Sequence, residues 1–476
     1  MLFTDSFFLF YFLPSALFAL FLTGTLRRGA SYSSLSKAAL VLLTIAFYGS
    51  QETWWLIPFA VCVVFDFVWA QLLTRFQSPA MRKLLVALSV IQNLGLLSLF
   101  KYWPFIRQNL VAVRPSWDSF LPQLLSDGQS LALPAGISFY TFESLSFVID
   151  VYRRDVVPPK NPLDFAAFIA MFPRFVAGPI VRYNALASQF AQYRGMQVER
   201  GLYVFVCGFC LKALFADQFA VFVDYAFQSD GNVGFIAAWL GAFAYTFQIY
   251  FDFSGYSLMA IGLGYCLGFR FPDNFNRPYL ATTLQEFWKR WHITLSQWLR
   301  DYVYIALGGS RGGVLSTYRN LFLTMVLGGV WHGAGWNYLI WGVWHGSWLI
   351  LERALPNSFV SRPNGFRTFL VVTTGFVFFR AADPVQAFSV LGAMANPFSG
   401  VLSFNPTGIA VHALSAGLCL IGIVYCFFIE KYVVYDLPDR TSDLWMAARA
   451  GVCTAFLFAL TLNFSSFAIP FLYFQF

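Results

Sequence analysis

The sequence predicts an all-α integral membrane protein with many spans. Of its 476 residues, 58% are hydrophobic and only 11% are charged, and the mean hydropathy is +0.62. A soluble domain carries about 25% charged residues, so this chain has too few to cover a soluble particle of its size. Its apolar stretches are long and unbroken, which favours helices over the weakly alternating segments of a membrane barrel.

Apolar segments of about 20 residues recur along the chain, as membrane-crossing helices require. Several are short or interrupted by Pro and Gly, and such pieces are tolerated only where protein or a cavity surrounds them. We therefore expect about 11–13 spans plus one or two re-entrant pieces. The candidates are roughly 6–24, 37–50, 54–73, 84–103, 133–152, 162–181, 201–227, 233–252, 254–271, 317–334, 337–353, 366–381, 408–430 and 448–470.

No polar linker divides the chain into independent domains. We expect a single polytopic membrane domain over 1–476, with its core motifs at 131–353 and peripheral helices at 1–103 and 366–476. The polar segment 104–130 is expected to be a loop. The net charge of +8 indicates basic loops on the cytoplasmic side and contact with the lipid bilayer. No nucleic-acid partner is expected, because no base-reading or stacking surface accompanies that charge.

The segment "LQEFWKRWHITLSQWLRDY", at 284–302, has a pattern unlike the rest. Its apolar residues keep the i, i+3, i+4, i+7 spacing for about five turns. This spacing predicts one continuous amphipathic helix that lies in the interface or wedges between spans. On such a helix His292 falls at the border between the apolar and the polar faces.

Two Trp-His-Gly triplets stand in the uncharged run "GGVWHGAGWNYLIWGVWHG", at 328–346, and hold two of the four histidines. On one continuous helix, His332 and His345 would lie about 220° apart and face nearly opposite sides. Gly333 and Gly335 predict a break instead. We expect His332, in the break, to act as a general base near neutral pH. His345, inside the following helix, is expected to hydrogen-bond a neighbouring span.

A metal centre is not expected, because no His, Cys or carboxylate spacing supplies enough ligands. Cys207 and Cys210 form a C-x-x-C pair, but they stand in a hydrophobic helix without a second ligand pair. Packing explains that pair better than metal binding or redox chemistry.

Five ordered motifs carry a resemblance to a known family. They are "LPAGISFYTFESLSFVIDVYR", "FIAMFPRFVAGPIVR", "FDFSGYSLMAIGLGYCLGFRFPDNFNRPY", "EFWKRWHITLSQWLRDYVYIALGGSRGG" and "GGVWHGAGWNYLIWGVWHG". The set resembles the membrane-bound O-acyltransferase family and, within it, the bacterial branch that includes the membrane subunit of alginate O-acetylation. The resemblance is weaker in the last part of the chain.

This resemblance implies a ring of tilted helices around a thin centre, with a tunnel from a cytoplasmic donor side to an outer acceptor side. The family's catalytic histidine corresponds to His332. A second family position corresponds to His292, where other branches have asparagine. The residues around these two are expected to wall the tunnel: Trp288, Arg290, Trp291, Trp331 and Asn337.

The implied reaction is O-acetyl transfer from a cytoplasmic thioester, with acetyl-CoA as the donor and no bound cofactor. His332 would be the general base, and His292 would orient or stabilise the reacting groups. The final acceptor would be an exopolysaccharide, alginate first and acetylated cellulose second. A periplasmic SGNH-type acetyltransferase or esterase-like partner would carry the acetyl group to it. The chain would be a multi-pass protein of the bacterial inner membrane.

Two alternatives stay open at this point. Within the same family, the chain could transfer D-alanyl groups or acylate peptidoglycan. Outside it, a transporter or flippase of many helices would need no covalent chemistry. Repeat symmetry and a charged pair at the membrane midplane would indicate such a transporter, and the sequence displays neither feature.

Overall fold

The fold is described from a computed structural model of the chain. The structure describes residues 1–24, 31–119, 133–227, 233–356, 358, 360–399, 406–431, 451–461 and 471–472. Within these ranges every regular element is a helix. This confirms the all-α class that the long apolar runs predict.

The α-helices follow one another with short connections. In chain order they are α1 (Leu13–Leu22), α2 (Ser34–Gly49), α3 (Leu56–Arg75), α4 (Pro79–Leu97), α5 (Trp103–Val113), α6 (Ile137–Arg153), α7 (Pro162–Ile169), α8 (Tyr183–Ala191), α9 (Val198–Cys210), α10 (Asp217–Phe227), α11 (Phe235–Cys266), α12 (Leu284–Arg290), α13 (Ile293–Leu299), α14 (Val314–His332), α15 (Trp336–Ala354), α16 (Gly365–Arg380), α17 (Pro384–Ala395), α18 (Pro406–Val424) and α19 (Gly451–Thr461). Short π-helical segments are Phe8–Phe12, Ser98–Tyr102, Leu211–Ala216, Arg300–Tyr304 and Tyr425–Ile429, and short 3-10 segments are Thr53–Trp55, Pro115–Trp117 and Pro278–Leu280.

Four helical stretches in the described part of the chain are long and apolar enough to cross a membrane. They are Thr53–Arg75, Pro79–Val113, Val198–Phe227 and Val411–Ile429. Further apolar helices are shorter: Phe8–Leu22, Ser34–Gly49, Pro384–Ala395 and Gly451–Thr461. The chain is therefore a multi-pass helical membrane protein. The count of 11–13 spans, the ring with its tunnel and the single domain over 1–476 stay predictions.

Two boundaries that the sequence suggests are wrong. The segments 233–252 and 254–271 are expected as separate spans, but α11 runs unbroken through Gly255. A Cβ at Gly255 would lie 2.7 Å from the carbonyl oxygen of Gly208, so this glycine serves a close helix contact rather than a break. The loop expected from 104 is helical as far as Val113, and its part at 120–132 lies outside the described residues.

The first of two compact units comprises Met1–Leu202 and Ala260–Pro272. Its helices α3, α4 and α6 pack on one another. The broken segment expected at 162–181 is found there, because α7 ends at Ile169 and an irregular buried stretch follows. In that stretch Arg174 pairs with the buried Glu143, which stabilises a non-helical backbone at depth.

The second unit comprises Tyr203–Met259 and Asp273–Phe476. Its central feature is the antiparallel hairpin of α14 and α15. A Cβ at Gly329 would meet the carbonyl oxygen of Tyr338 at 2.4 Å, and one at Gly342 would meet that of Met325 at 2.7 Å. Small residues thus let the two helix backbones touch, as in other membrane helix pairs. Helix α16 packs beside α15 and completes this group.

Candidate active site

The end of the α14–α15 hairpin carries the first Trp-His-Gly triplet. Helix α14 ends at His332, and α15 begins at Trp336, which confirms the break predicted from the glycines. Gly333 and Gly335 are both extended, with φ of −164° and −165°. A Cβ at Gly333 would lie 2.1 Å from the ring of Tyr338, so only glycine lets the connection pass this ring.

Aromatic rings enclose the His332 imidazole. Its ring centre lies 5.1 Å from that of Trp341 and 5.1 Å from that of Phe379, and both contacts are edge-to-face. The side chain is 6% exposed. Such a surrounding excludes most water and holds the imidazole in one place, which suits a group that must meet a reacting atom.

The second histidine of interest, His292, stands at a helix break. The prediction of one continuous helix over 284–302 is wrong, because α12 ends at Arg290 and α13 begins at Ile293. His292 has φ 41° and ψ 55°, the left-handed conformation that side chains other than Gly, Asn and Asp seldom adopt. Because no continuous helix exists here, the predicted place of His292 at the border between an apolar and a polar face does not apply. The residue is buried, with 1% of its surface exposed.

Backbone hydrogen bonds to a neighbouring segment explain this break. The amide of Asn276 donates to the carbonyl of Arg290 at 2.9 Å, and the amide of Ile293 donates to the carbonyl of Asn274 at 2.9 Å. These two bonds bracket Trp291 and His292. The segment 274–276 thus takes over the partners that a continuous helix would supply, and the local amphipathic pattern does not reveal that competition.

The break brings His292 to the hairpin end. The ring centres of His292 and His332 lie 6.5 Å apart, and Trp331 contacts both imidazoles, with centre distances of 6.2 and 5.0 Å. Phe253 of α11 packs edge-on against His292 at 4.6 Å. At this separation both imidazoles can reach one small polar group held between them, such as a hydroxyl oxygen.

A cavity of about 480 Å³ leads to His332 along the hairpin. Helices α12 to α15 line it, with Trp341 and Gly328 beside the histidine. Three cations at exposed positions also line it: Lys289, Arg353 and Arg300, the last of which pairs with Asp301 at 2.6 Å. The cavity is therefore apolar and buried at the histidine, and basic where it meets the surface.

The length of this cavity follows from helix geometry. Trp341 and Arg353 both line it and stand 12 residues apart on α15. At 1.5 Å per residue they are about 18 Å apart along the axis. Such a channel admits an extended chain whose anionic end stays at the surface while its reactive end reaches His332.

Comparison with known proteins shows which family this chain resembles. Residues 152–380 match the model of the membrane-bound O-acyltransferase family. The chain is 43% identical over 464 residues to a probable alginate O-acetylase, AlgI, of Pseudomonas aeruginosa, covering 94% of this chain and 85% of the relative. It is 45% identical over 412 residues to the protein of that name from Azotobacter vinelandii, covering 83% and 78%. A peptidoglycan O-acetyltransferase of Helicobacter pylori is 36% identical over 434 residues, covering 83% and 80%.

This chain belongs to the membrane-bound O-acyltransferase family. It is an acyltransferase, and the alternative of a transporter or flippase without covalent chemistry is set aside. The family resemblance drawn from the five motifs is confirmed.

The structure brings some of the expected tunnel residues of this acyltransferase together and not others. Trp288 lines the cavity, and Trp331 contacts both histidines. Trp291 is buried among aromatic rings, with Phe287 and Phe376 at 5.5 and 5.3 Å, and does not line the cavity.

Two further expected tunnel residues are held by hydrogen bonds to protein groups. Arg290 bonds Glu286 through two of its nitrogens, at 3.0 and 2.8 Å. The Thr282 amide also donates to Glu286 and holds the pKa of that carboxyl below its usual value. The side-chain amide of Asn337 donates to the carbonyl of Ala381 at 2.7 Å, which ties α15 to the end of α16.

The second triplet of the acyltransferase lies inside α15, as predicted. His345 is fully buried, and its ring packs against Trp288 and Trp341 with centre distances of 5.1 and 4.8 Å. The prediction of a hydrogen bond to a neighbouring span is wrong for the described part of the chain, where neither ring nitrogen has a partner. A Cβ at Gly375 would lie 2.6 Å from its Nε2, so α16 packs directly on the imidazole. This close packing leaves no room for the expected partner.

The sequence did not point to several residues of the site. Lys289 and Arg300 stand on the polar side of the amphipathic segment 284–302, and the fold brings Arg353 of α15 to the same cavity. Asn274 follows α11 in "FPDNFN", where Pro and Asn signal a turn but not what the turn holds. Among the described residues, no group of three or more His, Cys, Asp or Glu could hold a metal ion.

Proposed function

We propose that this acyltransferase moves an acetyl group from acetyl-CoA, at the cytoplasmic face of the bacterial inner membrane, for O-acetylation of an exopolysaccharide. The observation that carries the proposal is one cavity that is lined both by a buried histidine and by three cations at exposed positions. The cavity thereby joins a general base to a site that suits an anionic, chain-like thioester. No bound cofactor is part of the proposal.

The basic opening suits a phosphate-bearing donor. Lys289, Arg300 and Arg353 raise the local concentration of anions and favour binding of the nucleotide phosphates of coenzyme A. The apolar channel then suits the extended pantetheine arm, which a path of about 18 Å along α15 can hold. An acetyl group at the tip of the arm reaches the aromatic enclosure of His332.

The reaction needs one base and one leaving group. His332 accepts the proton of the attacking hydroxyl, whose oxygen bonds to the thioester carbonyl carbon. The carbon–sulfur bond then breaks, and the thiolate takes the proton back from the imidazolium. In the proposal His292 orients the hydroxyl or stabilises the charge that develops in the transition state.

The acceptor that enters from the outer side is proposed to belong to a partner protein. The chain has four histidines, and each stands in an apolar context or at the site described. None of them is available for a Ser-His-Asp triad of the kind that hydrolases use. A periplasmic SGNH-type acetyltransferase or esterase-like protein would present a serine hydroxyl, accept the acetyl group and pass it to the polymer. The bulk of a polysaccharide is the reason for proposing such a relay.

The polymer proposed first is alginate, because the relatives named probable alginate O-acetylase are 41–45% identical to this chain. Acetylated cellulose is the second candidate. Peptidoglycan stands third, because the relative named for it is 36% identical. The D-alanyl alternative has no observation in its favour among the contacts of the site.

The decisive experiment is reconstitution in vesicles. The purified protein receives labelled acetyl-CoA, with or without a candidate SGNH-type partner protein, and with alginate, cellulose or peptidoglycan fragments outside. Label should reach the partner's serine and then one polymer, and only when both proteins are present. Efficient labelling of the polymer without a partner would refute the relay.

A matched control separates the chemistry from the lipid environment. The His332→Ala protein, reconstituted at the same density, should bind acetyl-CoA and transfer no label. Transfer at the wild-type rate by that protein would refute the assignment of the base, whatever the partner does.

A further inference from the structure

His292 holds a backbone conformation that costs free energy. An αL conformation at a residue other than glycine costs about 1–3 kcal/mol and persists only where surrounding contacts impose it. It is also the N-cap of α13, yet its side chain does not cap that helix. Something else must therefore satisfy the first amides of α13 and fix the left-handed turn.

Asn274, which stands twenty positions before Thr294, supplies these contacts. The backbone carbonyl of Asn274 accepts the amide of Ile293 at 2.9 Å. Its side-chain Oδ1 accepts the hydroxyl of Thr294 at 2.9 Å and the amide of Thr294 at 3.4 Å. Asn274 thus caps α13 from another segment of the chain.

The other end of the same amide is anchored to α11. Asn274 Nδ2 donates to the hydroxyl oxygen of Ser257 at 3.2 Å. All three side chains, Asn274, Ser257 and Thr294, are at most 4% exposed, so these bonds are made away from water. One turn before Ser257 on α11, Phe253 packs edge-on against the imidazole of His292. The amide therefore connects the helix that contacts the ring to the helix that begins at the ring.

We infer that Asn274 is a positioning residue for the transfer reaction, because it caps α13 and fixes His292 beside His332. The inference rests on the proposed function, in which His292 takes part in the reaction. Asn274 itself lies outside the cavity lining and is not expected to touch either substrate. Its effect on catalysis passes entirely through the orientation of the His292 ring.

This role makes asparagine hard to replace at 274. Aspartate keeps an oxygen that can accept from Thr294 but loses the N–H that bonds Ser257. Alanine loses all three side-chain bonds, so the hydroxyl and amide of Thr294 lose this partner, while the backbone bond to Ile293 stays. We expect activity to fall in the order Asn, Asp, Ala, with the thioester bound equally well throughout.

The experiment is a double-mutant cycle on purified, reconstituted protein. Single variants Asn274→Ala and His292→Ala and the double variant are assayed for kcat and for KM of acetyl-CoA. Asn274→Ala should lower kcat about tenfold, the size expected for a lost buried hydrogen bond, with KM unchanged. In the His292→Ala background the same substitution should have almost no further effect, because there is no ring left to position.

The matched control is Asn161, which also uses its side chain as a helix N-cap, accepting the amide of Leu163 at 3.0 Å. Asn161→Ala removes an ordinary cap in a different part of the chain and should leave kcat unchanged. If the Asn274→Ala protein fails to insert, Asn274→Asp and Ser257→Ala take its place in the cycle, since each of them removes one bond.

The possible outcomes test the inference about Asn274 separately from the proposed function. If Asn274→Ala costs the same factor with and without the His292 ring, Asn274 supports the fold alone and the inference is wrong. If His292→Ala keeps full activity, the inference fails as well, while the assignment of His332 is untouched. An active His332→Ala protein would overturn the proposed base, whatever the Asn274 variants show.

Discussion

The chain contains Trp-His-Gly twice, at Trp331–Gly333 and at Trp344–Gly346, and the two copies have different surroundings. In the first, the histidine is the last residue of α14, and its ring stands at the end of a cavity near a second imidazole. In the second, the histidine is inside α15, fully buried, and in contact with the backbone of α16 at Gly375.

The indole of Trp341 lies between the two copies and contacts both imidazoles, at 5.1 and 4.8 Å. Neither the triplet itself nor the shared contact with Trp341 therefore distinguishes the roles of His332 and His345. The helix break does, because it leaves the ring of His332 at the cavity, whereas the ring of His345 is packed against α16. An identical triplet in mid-helix becomes part of the packing.

The largest expected effect is that of His332→Ala. Loss of a general base costs about 10²–10⁴-fold in rate, so acetyl transfer should fall to background. Insertion and yield should stay normal, because the enclosure of Trp341 and Phe379 remains. Transfer from labelled acetyl-CoA and the detergent-solubilised yield are measured side by side. A larger loss in His345→Ala than in His332→Ala would reverse the comparison.

Substitution of His292 comes second and tests whether the first triplet works with a partner. His292→Ala should impair transfer, whereas His292→Asn should retain more of it. Asparagine is polar and also tolerates the left-handed backbone found at this position. His292→Gly separates these two reasons, since it accepts the backbone and lacks any side chain. Equal loss in Asn and Ala, with thioester binding intact, would mean that the ring itself shares the proton transfer.

A smaller effect is expected at the exposed end of the cavity, which only the first triplet reaches. Lys289→Gln and Arg353→Gln should raise KM for acetyl-CoA several-fold and leave kcat nearly unchanged, because they remove attraction for phosphate and no reacting group. The difference from wild type should shrink as salt is raised. Lys37→Gln, which loses an ion pair with Asp164 elsewhere in the chain, is the control and should leave KM as it is.

The smallest effect on activity is expected for the second triplet. His345→Ala should keep most of the transfer activity and lower the thermal stability, because it opens a void beside Trp288 and Trp341. Gly375→Ala should destabilise the protein as well, since the new Cβ would lie 2.6 Å from Nε2 of His345. The double variant should be more stable than the sum of both losses predicts, because the smaller side chain makes room for the Cβ.

Composition and periodicity predict the class of fold and the break after His332, because both depend on local properties. Few charges and long apolar runs require membrane helices, and two glycines only two positions apart, Gly333 and Gly335, weaken any helix that would cross them. The pairing of His292 with His332 could not be derived in this way. It depends on segment 274–276 competing for the backbone of a stretch whose own pattern favours one helix.

The basic opening of the cavity was missed for a similar reason. Lys289 and Arg300 belong to the polar side of segment 284–302, but nothing in the sequence places Arg353, on another helix, in the same cavity. The resemblance to a family supplied His292 as a candidate, but it supplied neither the left-handed conformation nor the asparagine that holds it.

The α14–α15 hairpin has a consequence for how the chain enters the bilayer. From Asn320 to Leu351 the sequence has no charged residue, and the connection between the helices is only Gly333–Gly335. Insertion of both helices as one preformed pair would therefore carry no charge across the membrane, and Arg319 and Glu352 would stay on the side from which the pair entered. The depth of His332 would then follow from the fold of the hairpin and not from any signal of its own.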